Sequence, residues 1–486
     1  MIASIAAVLD RGLAEHPEKE ALVGRSGRYT WASLDAAVAR AADGLRRAGI
    51  GVGDRFAVSL PNDADIVIAF LATQRVGAIW VGINRALAAP EKEWLLSDCD
   101  AALLVDNAEQ WHELVAGARD GVDSVAADTD PHAPAAIAYT GGTTGYPKGV
   151  VHSQHNLLLP GFVSATAGTA NPEHVLGVAL PLTILNLVVL GPLVAYQVGQ
   201  TLVAIDRVDP VGLAAWIREE EVSTFSAVPA MIHDLLHHPD VRDDDLVSLV
   251  RPGVGGAAIP EEFRVLYRKR FGTEIYSGYG LTEAPTAVTV ENPAEPRVVG
   301  SCGKALPQVE IVILDHDGNA VPDGVAGEVC VRAASSGPFA GLYTPMLGYW
   351  NRPDDTAEAL RGGVLHTQDI GRIGEGGNLF IEDRKADLII RGGANVYPAE
   401  VERVIHGDAA VAACAVVGAP DMRLGERVVA FVQPNAGAAF DLDALRARCT
   451  AELARYKVPE EFVVVDDFER TPMGKIKKTV LRARAG

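Results

Sequence analysis

The sequence AAIAYTGGTTGYPKG, residues 135–149, joins a short apolar run to a glycine-rich segment. Its last ten residues contain four glycines, three threonines and Lys148. Glycines let the backbone approach a ligand closely, and successive free N–H groups in such a loop bind anions. The apolar run predicts a buried strand, and α/β proteins bind ligands where such strands end. The stretch therefore predicts an α/β fold with a polyphosphate site at this turn, because hydroxyls and a lysine suit phosphate oxygens.

This loop differs from the common P-loop signature, which has Gly directly before Lys and Ser or Thr directly after it. Here Lys148 lies between Pro147 and Gly149. The alternative interpretation is a flexible surface loop, which the preceding strand disfavours.

Strand-like and helix-like apolar runs alternate from residue 30 to residue 276. Such alternation predicts mostly parallel sheets that helices cover on both faces. After Pro296, short strands separated by Asp-Gly turns predict a small β-barrel-like lobe. Beyond a polar joint at residues 383–387, about 100 residues remain, the size of a separate α+β domain. The predicted strands lie at residues 55–59, 101–105, 175–180, 224–227, 249–253, 274–276, 309–314 and 327–332, and the predicted helices at 31–48 and 63–76.

Composition excludes several classes of protein. The chain has 486 residues, of which 48% are apolar, so more than one core is expected. A net charge of −20 argues against non-specific nucleic-acid binding and against anionic membrane surfaces. The five cysteines are scattered without metal-ligand spacing, which is typical of structural thiols in a reducing cytosol. We therefore expect a cytoplasmic protein that binds no nucleic acid.

One long uncharged segment, residues 175–205, could span a bilayer by length alone. Pro181, Asn186, Gly191 and Pro192 interrupt it, and no basic cluster flanks it. A buried core strand and helix are therefore predicted in place of a membrane span.

The segment YSGYGLTE, residues 276–283, carries side chains suited to nucleotide chemistry. Tyr279 offers an aromatic face on which a base can stack. Glu283 offers a carboxylate beside the phosphates, where Mg²⁺ is usually held by one or two carboxylates. Taken alone, Glu283 is equally typical of a solvated acid at a helix start.

Two further segments add polar groups. TQDIG at residues 367–371 offers Asp369 to ribose hydroxyls, although a lone aspartate there is more often a turn residue. TPMGKIKK at residues 471–478 presents Lys475 after a Pro-x-Gly turn, although such a segment alone is typical of a solvated basic tail.

Together these segments resemble the adenylate-forming superfamily, specifically its acyl- and aryl-CoA synthetase branch. The resemblance covers nearly the whole chain in the right order. It also includes GGAAIP at residues 255–260, GYWNRP at 348–353, RKADLIIRGGANVYPAEVE at 384–402 and YKVP at 456–459.

The resemblance implies an ATP-dependent acid–CoA ligase. A carboxylate would attack the α-phosphate of ATP to give acyl-AMP and pyrophosphate, and the thiol of CoA would then displace AMP. It implies an N-terminal adenylation domain at residues 1–383, a hinge at 384–387 and a mobile C-terminal domain at 388–486.

The resemblance also implies roles for individual residues. Lys475, Thr282 and Glu283 would be catalytic, with Glu283 as the Mg²⁺ ligand and Lys475 bridging carboxylate and phosphate. Gly392 and Gly393 would let the pantetheine of CoA pass, and Ala386 would be the hinge, where Lys or Asp is more usual. The implied ATP-binding residues are Thr140, Gly142, Thr143, Thr144, Gly145, Lys148, Gly256, Ala257, Tyr279, Gly280, Thr282, Asp369 and Arg384.

Most of the residues implied to line the acid pocket are small or apolar. After Leu182, many relatives carry an aromatic residue followed by a histidine. This chain has Thr183 and Ile184 at those two positions. No acidic residue is placed for an α-amino group, and no arginine for a second carboxylate. We therefore expect a bulky apolar monocarboxylate: aromatic, alicyclic or medium-chain. The implied pocket residues are Ile184, Asn186, Ser226, Val228, Gly278, Ala284 and Pro285.

Two alternatives stay open at this point. The acceptor could be the pantetheine of a carrier protein, since it presents the same thiol as CoA. Less favoured is a non-catalytic AMP- or acyl-binding paralogue, because Lys148, Glu283, Asp369 and Lys475 are all present. The expected oligomeric state is a monomer or a homodimer.

Overall fold

The computed structural model describes residues 4–117, 126–140, 146–255, 259, 261–285, 287–292, 294–384, 388–435, 440–469 and 476–486, with the backbone alone at 382–384. Its strands are β1 (Glu20–Val23), β2 (Arg28–Thr30), β3 (Arg55–Val58), β4 (Ile79–Gly82), β5 (Leu103–Val105), β6 (Pro134–Thr140), β7 (Lys148–Ser153), β8 (Val175–Val178), β9 (Thr201–Ala204), β10 (Thr224–Ala227), β11 (Arg251–Val254), β12 (Tyr276–Ser277), β13 (Thr289–Val290), β14 (Lys304–Ala305), β15 (Val309–Leu314), β16 (Gly327–Ala333), β17 (Gly348–Tyr349), β18 (Leu365–Ile373), β19 (Leu379–Arg384), β20 (Ile389–Arg391), β21 (Ala394–Val396), β22 (Val411–Asp421), β23 (Gly425–Pro434) and β24 (Glu461–Val464).

Its α-helices are α1 (Asp10–Glu15), α2 (Trp31–Arg47), α3 (Ala64–Arg75), α4 (Ala89–Asp98), α5 (Ala108–Ala116), α6 (Gln154–Thr166), α7 (Leu185–Val188), α8 (Val194–Val198), α9 (Pro210–Glu219), α10 (Pro229–His237), α11 (Glu261–Phe271), α12 (Pro353–Ala359), α13 (Pro398–His406), α14 (Leu442–Glu452) and α15 (Lys478–Ala485). Short 3₁₀ turns lie at Ile5–Ala7, Asp243–Asp245, Arg361–Gly363 and Glu375–Gly377, and a π-helical turn, Val189–Leu193, joins α7 to α8.

Two sheets form the large N-terminal body. The seven-stranded sheet runs β12-β11-β10-β8-β9-β1-β2 and is parallel except where β1 meets β2. The six-stranded sheet runs β17-β7-β6-β4-β3-β5, with β3 to β6 parallel and the β6, β7 and β17 pairings antiparallel. The predicted α/β class with mostly parallel, helix-covered sheets is confirmed.

The helices between the sheets follow their sequence signals. α2 begins after Thr30, which forms a reciprocal capping box with Ser33, and α3 begins after Asp63, whose side chain caps it. Every residue of α3 except Asp65 is buried, because the helix packs into the core that joins both sheets. A helix that is apolar all round needs such a position.

The uncharged segment 175–205 forms β8, the helical run from α7 to α8, and β9, and it packs in the same core. The predicted core strand and helix are thus confirmed. Within the described residues, no helix combines the length and the apolar character needed to cross a bilayer.

Two smaller sheets follow. The predicted short strands at residues 309–314 and 327–332 are β15 and β16, in an antiparallel sheet ordered β15-β16-β18-β19. Residues 388–486 contribute the order β21-β20-β23-β22, with β24 parallel to β23, and α13 to α15 pack on this sheet around its own apolar clusters.

The two large sheets touch where β4 ends. A Cβ atom on Gly82 would lie 2.0 Å from the carbonyl oxygen of Thr183, which follows β8. Only glycine permits this approach, since an added methyl group would meet backbone rather than a movable side chain.

We therefore predict that Gly82→Ala lowers the free energy of unfolding by about 1–3 kcal/mol, the usual cost of overpacking. Urea unfolding followed by circular dichroism measures the change. Gly51→Ala is the matched control, because a Cβ there meets no atom within 4 Å. Equal stability of the two variants would show that the sheets separate freely at this point.

Candidate active site

The glycine-rich loop joins two antiparallel strands. The predicted strand at residues 135–139 is observed as β6, whose last residue, Thr140, pairs with Lys148 at the start of β7. Lys148 therefore belongs to a strand. Gly142, Thr143, Thr144 and Gly145 lie outside the described residues.

Lys148 has two partners that the sequence analysis did not identify. Its Nζ donates to Asp355 Oδ1 at 2.6 Å and lies 5.1 Å from the ring centroid of Tyr349. Asp355 is in the first turn of α12. The lysine charge is thus held by one carboxylate and one aromatic face, and its side chain is only 15% exposed.

Tyr349 connects Lys148 to Glu283. The Tyr349 hydroxyl donates to Glu283 Oε1 at 3.0 Å, and the Glu283 backbone carbonyl accepts from Met346 N–H at 2.9 Å. Burial raises the pKa of Glu283, while its own backbone N–H and the Tyr349 hydroxyl oppose that shift. Its carboxylate oxygens are hard ligands of the kind that Mg²⁺ takes.

His152 fixes the backbone beside this carboxylate. Its Nε2–H donates to the Thr282 carbonyl at 2.7 Å, and its Nδ1 accepts from Asn156 at 3.4 Å. Asn156 also donates to the Pro345 carbonyl at 2.6 Å and accepts from the Thr344 hydroxyl. These bonds require the neutral Nε2–H imidazole. Burial lowers the pKa of His152 to about 4, although the Thr282 carbonyl favours the protonated form.

Tyr279 and Asp369, predicted as base and ribose ligands, lie side by side. The Tyr279 hydroxyl donates to Asp369 Oδ2 at 2.5 Å, and both residues are buried. Asp369 follows Gln368, which has a left-handed φ of 62° at the irregularity in the pairing of β18 with β16. The β18–β19 register places Asp369 opposite Arg384. The structure therefore brings these three predicted residues together at the backbone level.

Four of the predicted acid-pocket residues lie at or beyond the carboxyl ends of parallel strands of the seven-stranded sheet. Ser226 and Val228 stand at the end of β10, Gly278 follows β12, and Ile184 follows β8. Gly278 is required by packing, since a Cβ there would lie 2.4 Å from the Thr289 carbonyl oxygen. The other pocket residues lie elsewhere: Asn186 is the second residue of α7, and Ala284 and Pro285 follow Glu283. Of the remaining predicted ATP-binding residues, Gly280 follows Tyr279, whereas Gly256 and Ala257 lie outside the described residues.

The predicted CoA-binding glycines form the turn between β20 and β21. Gly392 and Gly393 have φ of 58° and 82°, which other residues adopt only at a cost. A Cβ on Gly393 would lie 2.1 Å from Val228 Cγ1. The C-terminal sheet therefore reaches the predicted acid pocket through this turn. Lys475 and Ala386 lie outside the described residues.

A second cluster was missed by sequence analysis. Cys330, interpreted there as a structural thiol, is buried 3.4 Å from His366 Nδ1, and that nitrogen is 3.1 Å from Glu328 Oε2. Arg361 donates to the same carboxylate oxygen at 3.2 Å. The contact follows from the β16–β18 register, which pairs Cys330 with His366 and secures the strand that carries Asp369.

Known proteins resemble this chain over most of its length. The sequence profile of the AMP-binding enzyme family matches residues 9–350, and that of the AMP-binding enzyme C-terminal domain matches residues 400–475. The chain belongs to the AMP-binding enzyme family. It is an AMP-forming acid–thiol ligase of the acyl-CoA synthetase branch, as predicted.

Similar members of the family are feruloyl-CoA synthase of an Amycolatopsis species, 36% identical with 94% of each chain covered, and indoleacetate–CoA ligase of Aromatoleum aromaticum, 30% identical with 98% and 96% covered. Among solved structures, a double mutant of o-succinylbenzoate CoA synthetase from Bacillus subtilis, bound with its product analogue OSB-NCoA, has a TM-score of 0.88 at 29% identity and covers 99% of this chain and 98% of that one.

We predict that this AMP-binding enzyme loses stability between pH 6.5 and pH 4 partly through His152. Unfolding releases the imidazole to its ordinary pKa near 6.5, so the unfolded state takes up the proton first and is favoured as the pH falls. The contribution is about 3 kcal/mol by pH 4.

His152→Gln, which keeps a donor for the Thr282 carbonyl, should reduce the difference in unfolding free energy between pH 7 and pH 5. Urea unfolding at both pH values measures it. His316→Gln, at a histidine with an 89% exposed side chain, is the control and should leave the difference unchanged. A wild-type pH dependence in His152→Gln would contradict the assignment.

Proposed function

We propose that the protein is an ATP-dependent acid–CoA ligase that first adenylates a bulky apolar monocarboxylate and then transfers the acyl group to the CoA thiol. The observation that carries the proposal is the contact of Tyr349 with both Lys148 and Glu283. The buried Tyr279–Asp369 pair lies close enough for the Asp369 carboxylate to act on the pKa of Glu283. ATP would need the cation, the carboxylates and the aromatic face, and the acid would need the apolar pocket.

In the first step, Thr140 and Lys148 would bind the β- and γ-phosphates with the loop that they flank. Tyr279 would pack on adenine, Asp369 would accept from the ribose hydroxyls, and Thr282 would contact the α-phosphate. Glu283 would hold Mg²⁺, which supplies charge neutralisation when it is bound. Positioning and electrostatic stabilisation then provide the rate, since the reaction is an in-line displacement.

ATP has to compete with a carboxylate for Lys148. The Lys148–Asp355 pair stands where phosphate oxygens would arrive, and Asp355 is 38% exposed. A partly exposed carboxylate is a modest partner, whereas a polyphosphate carries several charges. We infer that Lys148 exchanges Asp355 for phosphate when ATP binds.

The second step would use the C-terminal unit in the arrangement seen here. We place that unit at residues 388–486, after a hinge at 384–387, and the adenylation domain at 1–383. The contact of Gly393 with Val228 supports this, because it brings a side-chain-free backbone to the pocket edge where a pantetheine arm would pass. The Bacillus synthetase, which resembles the whole chain, holds a CoA product analogue.

The acid is proposed from the pocket and from the relatives. The described pocket residues supply apolar surface and no cation for a second carboxylate, and Val228 and Ala284 are buried. Feruloyl-CoA synthase and indoleacetate–CoA ligase are named for aromatic acids. Aromatic monocarboxylates therefore head the proposed substrates, before alicyclic and medium-chain acids.

A panel of acids tests the proposal. Purified protein with ATP and Mg²⁺ should release pyrophosphate with aromatic, alicyclic or medium-chain monocarboxylates, and acyl-CoA should accumulate once CoA is added. Glu283→Gln should reduce pyrophosphate release at least about a hundredfold, since it removes a charged ligand beside the phosphates. Glu295→Gln, at a surface pair with Lys304, is the control.

Activity with dicarboxylates or amino acids alone would overturn the acid class. Release of pyrophosphate without any acyl-CoA would instead favour a carrier-protein acceptor, and no turnover with any acid would favour a non-catalytic paralogue.

A second prediction separates the two steps. Lys475→Ala should slow adenylate formation about a hundredfold or more, because a preplaced cation no longer meets the charge of the transition state. Thioester formation from supplied acyl-adenylate and CoA should be nearly unchanged. Lys477→Ala, which removes a neighbouring lysine paired with Glu469, is the control. Equal losses in both half-reactions would refute the role of Lys475.

A further inference from the structure

A buried group of charges joins the C-terminal unit to helix α4 of the N-terminal body. Lys457 Nζ donates to Glu91 Oε1 and to Glu400 Oε2, each at 2.7 Å. Glu91 Oε2 also accepts from the backbone N–H of Ala454 at 2.8 Å. We call Glu91, Lys457 and Glu400 the latch; their side chains are 10%, 6% and 4% exposed.

The positive charge of Lys457 is maintained by the two carboxylates of the latch. Burial acts to lower the pKa of Lys457, but the carboxylates of Glu400 and Glu91 outweigh it and raise the pKa above its ordinary value. Lys457 therefore stays protonated.

Within the latch, Glu91 is the member that can be withdrawn. Lys457 and Glu400 both belong to residues 388–486 and form a one-to-one pair without it. Glu91 in turn keeps the backbone N–H of Ala88, at 2.8 Å, in the N-terminal body. Of the hydrogen bonds described for the latch, separation of the two units therefore breaks those of Glu91 with Lys457 and with Ala454.

Helix α4 also contacts Tyr146 of the glycine-rich loop. Trp94 of α4 stacks on Tyr146, with ring centroids 5.2 Å apart and 26° between planes. Arg403 of α13 also packs on Tyr146, with its Cζ 4.6 Å from the centroid of the tyrosine ring. Tyr146 immediately follows residues 140–145, so the C-terminal unit meets the end of the loop and α4 together.

Another contact between the units is weaker. Arg423 pairs with Asp234 at 2.8 Å, but the two side chains are 57% and 27% exposed, and such surface pairs contribute little. The C-terminal unit has its own sheet and apolar clusters, so its fold does not need α4. The latch therefore sets where that unit lies, and with it the contact of Gly393 with Val228.

We propose that Glu91 and Lys457 are positioning residues for thioester formation: they hold the C-terminal unit so that the Gly392–Gly393 turn lies at the acid pocket. This inference rests on the proposed two-step function. Neither residue is among those proposed to bind the acid or ATP. Adenylate formation would use another arrangement of the unit, in which Lys475 meets the carboxylate and the phosphate, and would not depend on the latch.

Glu91→Gln tests the proposal, because it removes the charge and keeps the shape of the side chain. Thioester formation from supplied acyl-adenylate and CoA should slow about tenfold or more, because a hydrogen bond between two charged groups that joins the units is weakened. Pyrophosphate release in single turnover without CoA should stay within about twofold of wild type. The control is Glu93→Gln, at an exposed glutamate on the same helix, which should match wild type in both reactions.

Equal losses in the two half-reactions, or no loss in thioester formation, would overturn the positioning role. A measurement without substrates separates this result from failure of the proposed function. Hydrogen exchange of the ligand-free protein should show faster exchange of the Ala454 amide in Glu91→Gln than in Glu93→Gln. Equal exchange in the two variants would overturn the latch, whatever the wild-type protein does with acids.

Discussion

The neutral imidazole of His152 joins the three distant segments from which the candidate site is built. It stands on β7, donates to the Thr282 carbonyl, and accepts from Asn156, which in turn holds the Pro345 carbonyl. Since β17 pairs with β7 just beyond, Tyr349 is placed against Glu283 by the same assembly. A protonated His152 could not accept from Asn156, so the site geometry depends on a buried group that stays uncharged.

The fold was predictable where its cause is local. The strand at residues 224–227 was predicted at its observed bounds, and α3 within one residue at each end, because caps and apolar periodicity are properties of neighbouring residues. The turn after β6 was predictable for the same reason. The antiparallel return of β7 was not predicted, since nothing in the loop specifies the direction of the next strand.

The partners of the predicted site residues were not predictable, because they depend on tertiary packing. Asp355 lies 207 positions from Lys148, and Glu91 lies 366 positions from Lys457. With 63 acidic residues in the chain, pattern alone cannot select either one. One signal existed for Tyr349: it belongs to the GYWNRP segment, which carried the resemblance but no assigned role. Roles for Lys475 and Ala386 rest on resemblance only.

The two lysine pairs differ in what can open them. Lys148 holds a carboxylate that is 38% exposed, at a place where the proposed ATP phosphates would offer a stronger anion, so a ligand can open that pair by competition. Lys457 is almost fully buried between two carboxylates, where no ligand arrives. Only movement of the C-terminal unit can break its pair with Glu91. The Lys148–Asp355 pair therefore depends on nucleotide binding, and the Lys457–Glu91 pair depends on the position of the C-terminal unit. Tyr146, which contacts Trp94 of α4 and Arg403 of the C-terminal unit, links the glycine-rich loop to both.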